Sequence, residues 1–110
     1  MTQPDYFNEF PAAIEVCDLD GILLYVNDSA AATVAGRDQL GTNILDCHPE
    51  PARTMFEKML ASGRANIYTI EKAGQRKLIY QAPWYVDGVY AGIVELSMPV
   101  PVDMPHFIRS

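Results

Sequence analysis

Two short apolar runs, residues 12–17 and 22–26, open the patterned part of the chain, and Asp18-Leu19-Asp20-Gly21 stands between them. Apolar runs joined through Asp-Gly predict a β-hairpin, because glycine accepts the positive φ of a tight turn. Asn27 follows, a residue type that caps free helix amides. The alanines at 30, 31 and 32 then predict a short helix from Asp28 to a stop at Gly36. A helical turn is predicted over residues 38–40 with Gly41 as its stop, and another near Ile44 and Leu45 inside an otherwise irregular stretch from Thr42 to Glu50.

From Pro51 the helical period is sustained. Ala52, Met55, Phe56, Met59 and Leu60 recur at i, i+3, i+4, i+7 and i+8, which draws one apolar face. Pro51 suits the first turn, Gly63 suits the stop, and Arg53 and Glu57 lie one turn apart on the polar side. Beyond Gly63 the texture becomes β-rich. ANIYTIEK, RKLIYQAPWYV and VYAGIVELSMP read as three strands of an antiparallel meander, with turns at Ala73-Gly74-Gln75 and Asp87-Gly88. Alternation places Leu78, Tyr80, Ala82, Trp84 and Val86 on one face and Ile79 and Tyr85 on the other, subject to a bulge at Pro83. On the last strand, Val89, Ala91 and Ile93 oppose Tyr90, Val94 and Leu96.

Strands, then helices, then strands predict an α+β fold, with helices on one face of an antiparallel sheet. Residues 1–11 form a lead or short helical arm, 12–99 the domain, and 100–110 a proline-rich tail that leaves the sheet extended.

Composition narrows the function. A chain of 110 residues with 49% hydrophobic and 20% charged residues supports one globular core. The net charge is -6 and the eight basic residues are scattered, so no basic stripe offers itself to nucleic acid. No apolar run approaches a membrane span, and MTQPDYFNEF has neither the charge nor the apolar stretch of a signal peptide. Cys17 and Cys47 follow neither a disulfide nor a metal-ligand spacing. The expectation is a cytoplasmic protein with free thiols, without membrane or nucleic-acid partner and without a metal site.

The order of elements and the residues at their joints resemble the PAS domain family. The resemblance spans roughly Phe10 to Pro99 and rests on several features in sequence: the acidic hairpin DLDG, the run ending in Asn27, Ala30-Ala31, Gly36, Leu40-Gly41, the amphipathic helix, and Gly92 in the last strand. It implies a five-stranded antiparallel sheet with short helices folded over one face around a small cavity. It also implies a sensory, signalling or interaction role in place of catalysis.

Sharper chemistry can be weighed residue by residue. Light-sensing relatives carry a cysteine directly after Gly-x-Asn; here Gly41-Thr42-Asn43 is followed by Ile44, and photoactive flavin is rejected. Haem is disfavoured: His48 precedes the long helix and is biased to extended backbone by Pro49, so a loop hydrogen bond accounts for it better than ligation. Met55 and Met59 then act as packing groups or pocket lining, not axial ligands. Cys47 and His48 are adjacent, a poor geometry for a nucleophile and its base, and no enzyme activity is expected. The candidate pocket residues are Met55, Met59, Tyr80, Trp84 and His48, around an unidentified small organic ligand.

The strands are apolar on both faces, so the sheet needs two covers. Helices supply one. A homodimer through the outer sheet face, with Tyr6, Phe7 and Phe10 of the lead in the seam, is the expected second cover, beside contacts to a signalling protein. The alternative is a ligand-free dimerisation module.

Overall fold

β1 (Ala13–Asp18) and β2 (Leu23–Val26) form the hairpin expected from DLDG. Gly21 takes a φ of 85°, and Asp18 fastens the turn by accepting the Asp20 and Ile22 amides on Oδ1 at 2.9 and 3.0 Å. The computed structural model describes residues 5–33 and 40–110. The stop expected at Gly36, and Asp38 of the turn expected at 38–40, lie outside the described residues.

α1 (Asp28–Thr33) follows β2 directly, a 3-10 turn covers Ile44–Cys47, and α2 spans Ala52–Ser62. Gly63 ends α2 in the left-handed conformation with its amide on the Met59 carbonyl at 2.8 Å, and Arg53 pairs with Glu57 at 3.4 Å. The meander then runs through β3 (Asn66–Lys72), β4 (Gln75–Val86) and β5 (Val89–Pro99). Asn43 staples the helical crossing to the hairpin: its Nδ2 donates to the Asp20 carbonyl, and its Oδ1 accepts the Leu45 amide.

The sheet is five-stranded and antiparallel in the order β2-β1-β5-β4-β3, so the first and last strands pair at its centre. This is the α+β architecture expected from the sequence. The core lies where α2 and the 3-10 turn meet one end of the sheet: Cys17, Leu23, Ile44, Phe56, Met59 and Ile93 form its buried cluster. Burial pushes the Cys17 thiol up to about 11, which makes it a packing group and not a nucleophile.

Register assigns the faces. Cys17 pairs with Ile93 and Glu15 with Glu95 on β1–β5, and Glu95 with Gln81 and Ser97 with Ile79 on β4–β5. Paired residues share a face, so all of these side chains point towards the helices. Ile14, Val16, Val94, Leu96, Leu78, Tyr80 and Trp84 point the other way.

Three expectations are corrected by this register. Tyr80 and Trp84 occupy the outer face and not the helix side. Tyr90 joins Ile93 on the helix side, because the ladder skips a residue: Trp84 pairs with Gly92 but Tyr85 with Tyr90. That bulge leaves Ala91 as the extra residue and re-aims Tyr90, whose hydroxyl donates to the Leu60 carbonyl at 2.9 Å. Lastly, Met55 is 48% exposed, so the packed side of α2 is the narrower stripe of Phe56, Met59 and Leu60.

Candidate functional site

Beside the core, a cleft of about 360 Å³ opens between the start of α2 and the β3–β4 part of the helix-facing sheet surface. It is lined by His48, Pro51, Ala52, Met55, Asn66, Tyr68 and Gln81. One wall is apolar, from the helix, and the other is polar, from the sheet.

The helix wall is set by local sequence. Pro49 disfavours helical backbone at His48, which adopts φ -114° and ψ 113°. Its Nδ1 lies 2.8 Å from the Ile44 carbonyl oxygen, and the ring packs on Phe56 with centroids 5.7 Å apart. A carbonyl only accepts, so this bond puts the proton on Nδ1 and leaves Nε2 as the nitrogen available to a ligand. Glu50 starts α2 by accepting the Thr54 amide at 2.8 Å and the Thr54 hydroxyl, and these bonds hold its carboxyl below the usual value.

The sheet wall is a hydrogen-bonded relay. Asn66 sits opposite Gln81 on β3–β4, and its Nδ2 donates to Gln81 Oε1 at 3.1 Å. Gln81 is only 4% exposed and passes its own amide hydrogen to Glu95 Oε1. Glu95 stands across from Glu15 on the central strand pair. Burial, reinforced by the facing Glu95, raises the Glu15 carboxyl to about 7, while His48 pulls in the opposite direction. A carboxyl raised this far is protonated more readily than an ordinary glutamate, which makes Glu15 a donor as well as an acceptor. Every group in the relay is oriented by its neighbour, so a ligand meeting Asn66 or Gln81 meets fixed partners.

Of the residues expected to form a site, His48 and Met55 line this cleft. Met59 is one turn along in the core. Tyr80 and Trp84 lie across the sheet, where the Trp84 indole donates to the Cys17 carbonyl at 2.9 Å. That crossing requires Gly92: a β-carbon there would stand 2.0 Å from the Cys17 oxygen and 2.7 Å from the indole nitrogen. Sequence reasoning missed Asn66, Tyr68, Gln81, Glu15 and Glu95. Alternation alone reads a glutamate between Ile14 and Val16 as solvent-facing; the signal that was there is a polar residue on each of three strands that pair side by side.

No family model matches the chain, and no curated relative matches it. Solved structures do. The PAS domain of BvgS from Bordetella pertussis superposes with a TM-score of 0.66 at 23% identity, over 88% of this chain and 82% of that one. A sensory box sensor histidine kinase from Vibrio cholerae gives 0.66 at 18% identity, over 86% of each chain. The PAS domain of an HTR-like protein from Haloarcula marismortui gives 0.61 at 16% identity, over 86% of this chain and 90% of that one. No helix among the described residues is long and apolar enough to cross a membrane. With the first and last strands paired at the centre of a five-stranded antiparallel sheet, and the helices gathered on one face, the chain has the PAS fold.

Proposed function

We propose that the chain is a non-catalytic sensory and signalling domain that binds a small organic ligand in the cleft of His48, Met55, Asn66, Tyr68 and Gln81. The observation that carries this reading is the half-buried polar relay from Asn66 through the buried Gln81 to Glu95 and Glu15, which opens into a cleft with an apolar opposite wall. Pockets that bind small molecules combine an apolar lining with a few fixed polar groups in this manner. Among the described residues the cleft's lining holds no Lys or Arg, so a neutral or cationic ligand with hydrogen-bonding edges fits it better than a carboxylate or phosphate. The matched structures whose names are those of sensor histidine kinases support the signalling role.

Ligand binding would reach the outside of the domain through Glu95 and Glu15, which sit on the two strands whose reverse faces carry Val94, Leu96, Ile14 and Val16. Those reverse faces are apolar, and pairing of two copies through them is the output we propose. That same apolar face favours the second reading, a dimerisation module without a ligand. Native mass spectrometry and absorbance of the protein as purified separate the two. A bound species that dissociates on denaturation and is absent from Met55→Trp supports the sensor, and a ligand-free mass in every preparation favours the module.

A further inference from the structure

The outer sheet face carries a groove of about 380 Å³ lined by Phe7, Ile14, Val16, Tyr25, Val94 and Leu96. All but one of these are purely apolar. The exception, the Tyr25 hydroxyl, is out of contact with solvent and has no hydrogen-bond partner among the described residues. An unmet hydroxyl of this kind is destabilising until an arriving group bonds it. Burial raises the Tyr25 hydroxyl and Asp5 and Asp28 add to it; Asp5 accepts the amide of Phe7 in the groove wall and Asp28 follows β2 at the start of α1, so the groove has an acidic margin.

The same chain carries a segment with the opposite properties. After the Val100 amide bonds the Arg76 carbonyl, the tail leaves the sheet through a turn at residues 102–103 and continues without helix or strand. Phe107 is 73% exposed and Ile108 93%, and these two apolar side chains are flanked by His106 and Arg109. The radius of gyration is 15.1 Å. A compact chain of this length has about 13 Å, and every residue from 101 to 110 is exposed, as expected of a tail that stands off its own body.

We propose that residues 106–109 of one copy dock in the outer-face groove of a second copy, and reciprocally. Phe107 and Ile108 fill the apolar floor, Arg109 meets the margin of Asp5 and Asp28, and a backbone group of the tail, which is in neither helix nor strand, supplies a bond to the Tyr25 hydroxyl. A twofold exchange closes both contacts and leaves neither groove nor tail open. The inference rests on outer-face pairing and adds to it the element that fills the seam.

Sedimentation equilibrium on the full-length chain tests it. The wild type is expected to dimerise. Phe107→Asp, at a largely exposed side chain, and Leu96→Asp in the groove should each weaken the dimer by roughly a hundredfold or more, since two aromatic anchors are lost or blocked. An equimolar mixture of the two variants should regain heterodimer, because the intact tail of one meets the intact groove of the other. The two new aspartates repel, so charge pairing cannot imitate that recovery. If Leu96→Asp fails to fold, Asp28→Lys replaces it, with recovery expected on adding Arg109→Asp. A mixture that stays monomeric overturns the exchange. A dimer indifferent to Phe107→Asp leaves outer-face pairing standing without the tail, and a monomeric wild type removes both.

Discussion

Replacing Asn27 by alanine should be among the most damaging single changes in the domain. The side chain is fully buried and makes four hydrogen bonds. Its Oδ1 accepts the amides of Ile14 at 2.9 Å and Ala30 at 3.0 Å, and its Nδ2 donates to the carbonyls of Phe7 at 2.9 Å and Ala12 at 2.8 Å. One residue thus caps α1, fixes the start of β1 and ties down the lead. Alanine removes the side-chain partner of two amides and two carbonyls, of which the Phe7 carbonyl keeps the Phe10 amide at 3.2 Å. The Phe7 carbonyl is near the surface and can be rehydrated; the other three partners are buried. At about 1–1.5 kcal/mol for each buried partner, the loss is about 3–5 kcal/mol. Domains of this size are stable by roughly 5–15 kcal/mol, so the loss removes a fifth or more of the total. Urea unfolding followed by Trp84 fluorescence, at one fixed protein concentration, measures the difference. Asn43→Ala, which removes two bonds in an exposed setting, is the comparison and should cost about 1 kcal/mol. A loss below about 1 kcal/mol for Asn27→Ala would refute the claim that this side chain organises the junction.

Glu15 predicts a pH dependence. Its folded value of about 7 lies above the ordinary 4.5, so its contribution is fully present below 4.5 and is lost as pH rises through 7. The domain should lose at most about 3 kcal/mol between those limits. Glu15→Gln should flatten that part of the stability profile, and a wild-type profile already flat there would contradict the burial of the pair. In the helix, Met59→Ala should cost about 2–5 kcal/mol while the half-exposed Met55→Ala costs under about 1 kcal/mol, and equal losses in urea melts would mean the packed stripe of α2 is misplaced.

The elements were legible in the sequence because turn chemistry and period are local. Asp18 to Gly21 wrote the hairpin, Asn27 the cap, Gly63 the stop, and the β-branched runs the meander. Which face of the sheet meets the helices was not legible. Ile14 and Val16 have the side chains of a core strand, yet they point to the outer groove, while Glu15 points inward to Glu95. A strand covered on both sides carries no polar face to mark the outside, so alternation fixes which residues share a face and leaves open which face is inner. The candidate site followed the same division. His48 and Met55 were placed by their position at the start of α2. Tyr80 and Trp84 were misplaced because the choice of face was arbitrary, and Tyr90 because a bulge at Ala91 is invisible to a period of two.

The central claim is that the cleft between α2 and the sheet is a ligand site coupled to the central strands. Its most direct test is a chemical-shift titration of the full-length protein with a library of small neutral and cationic organic molecules, run in parallel on wild type and Met55→Trp, which fills the cleft. The account predicts binders that move His48, Asn66, Tyr68 and Gln81 together, with shifts continuing into Glu95 and Glu15, and no such response from Met55→Trp. Binders that map only to the outer face, or that perturb both proteins alike, would contradict it.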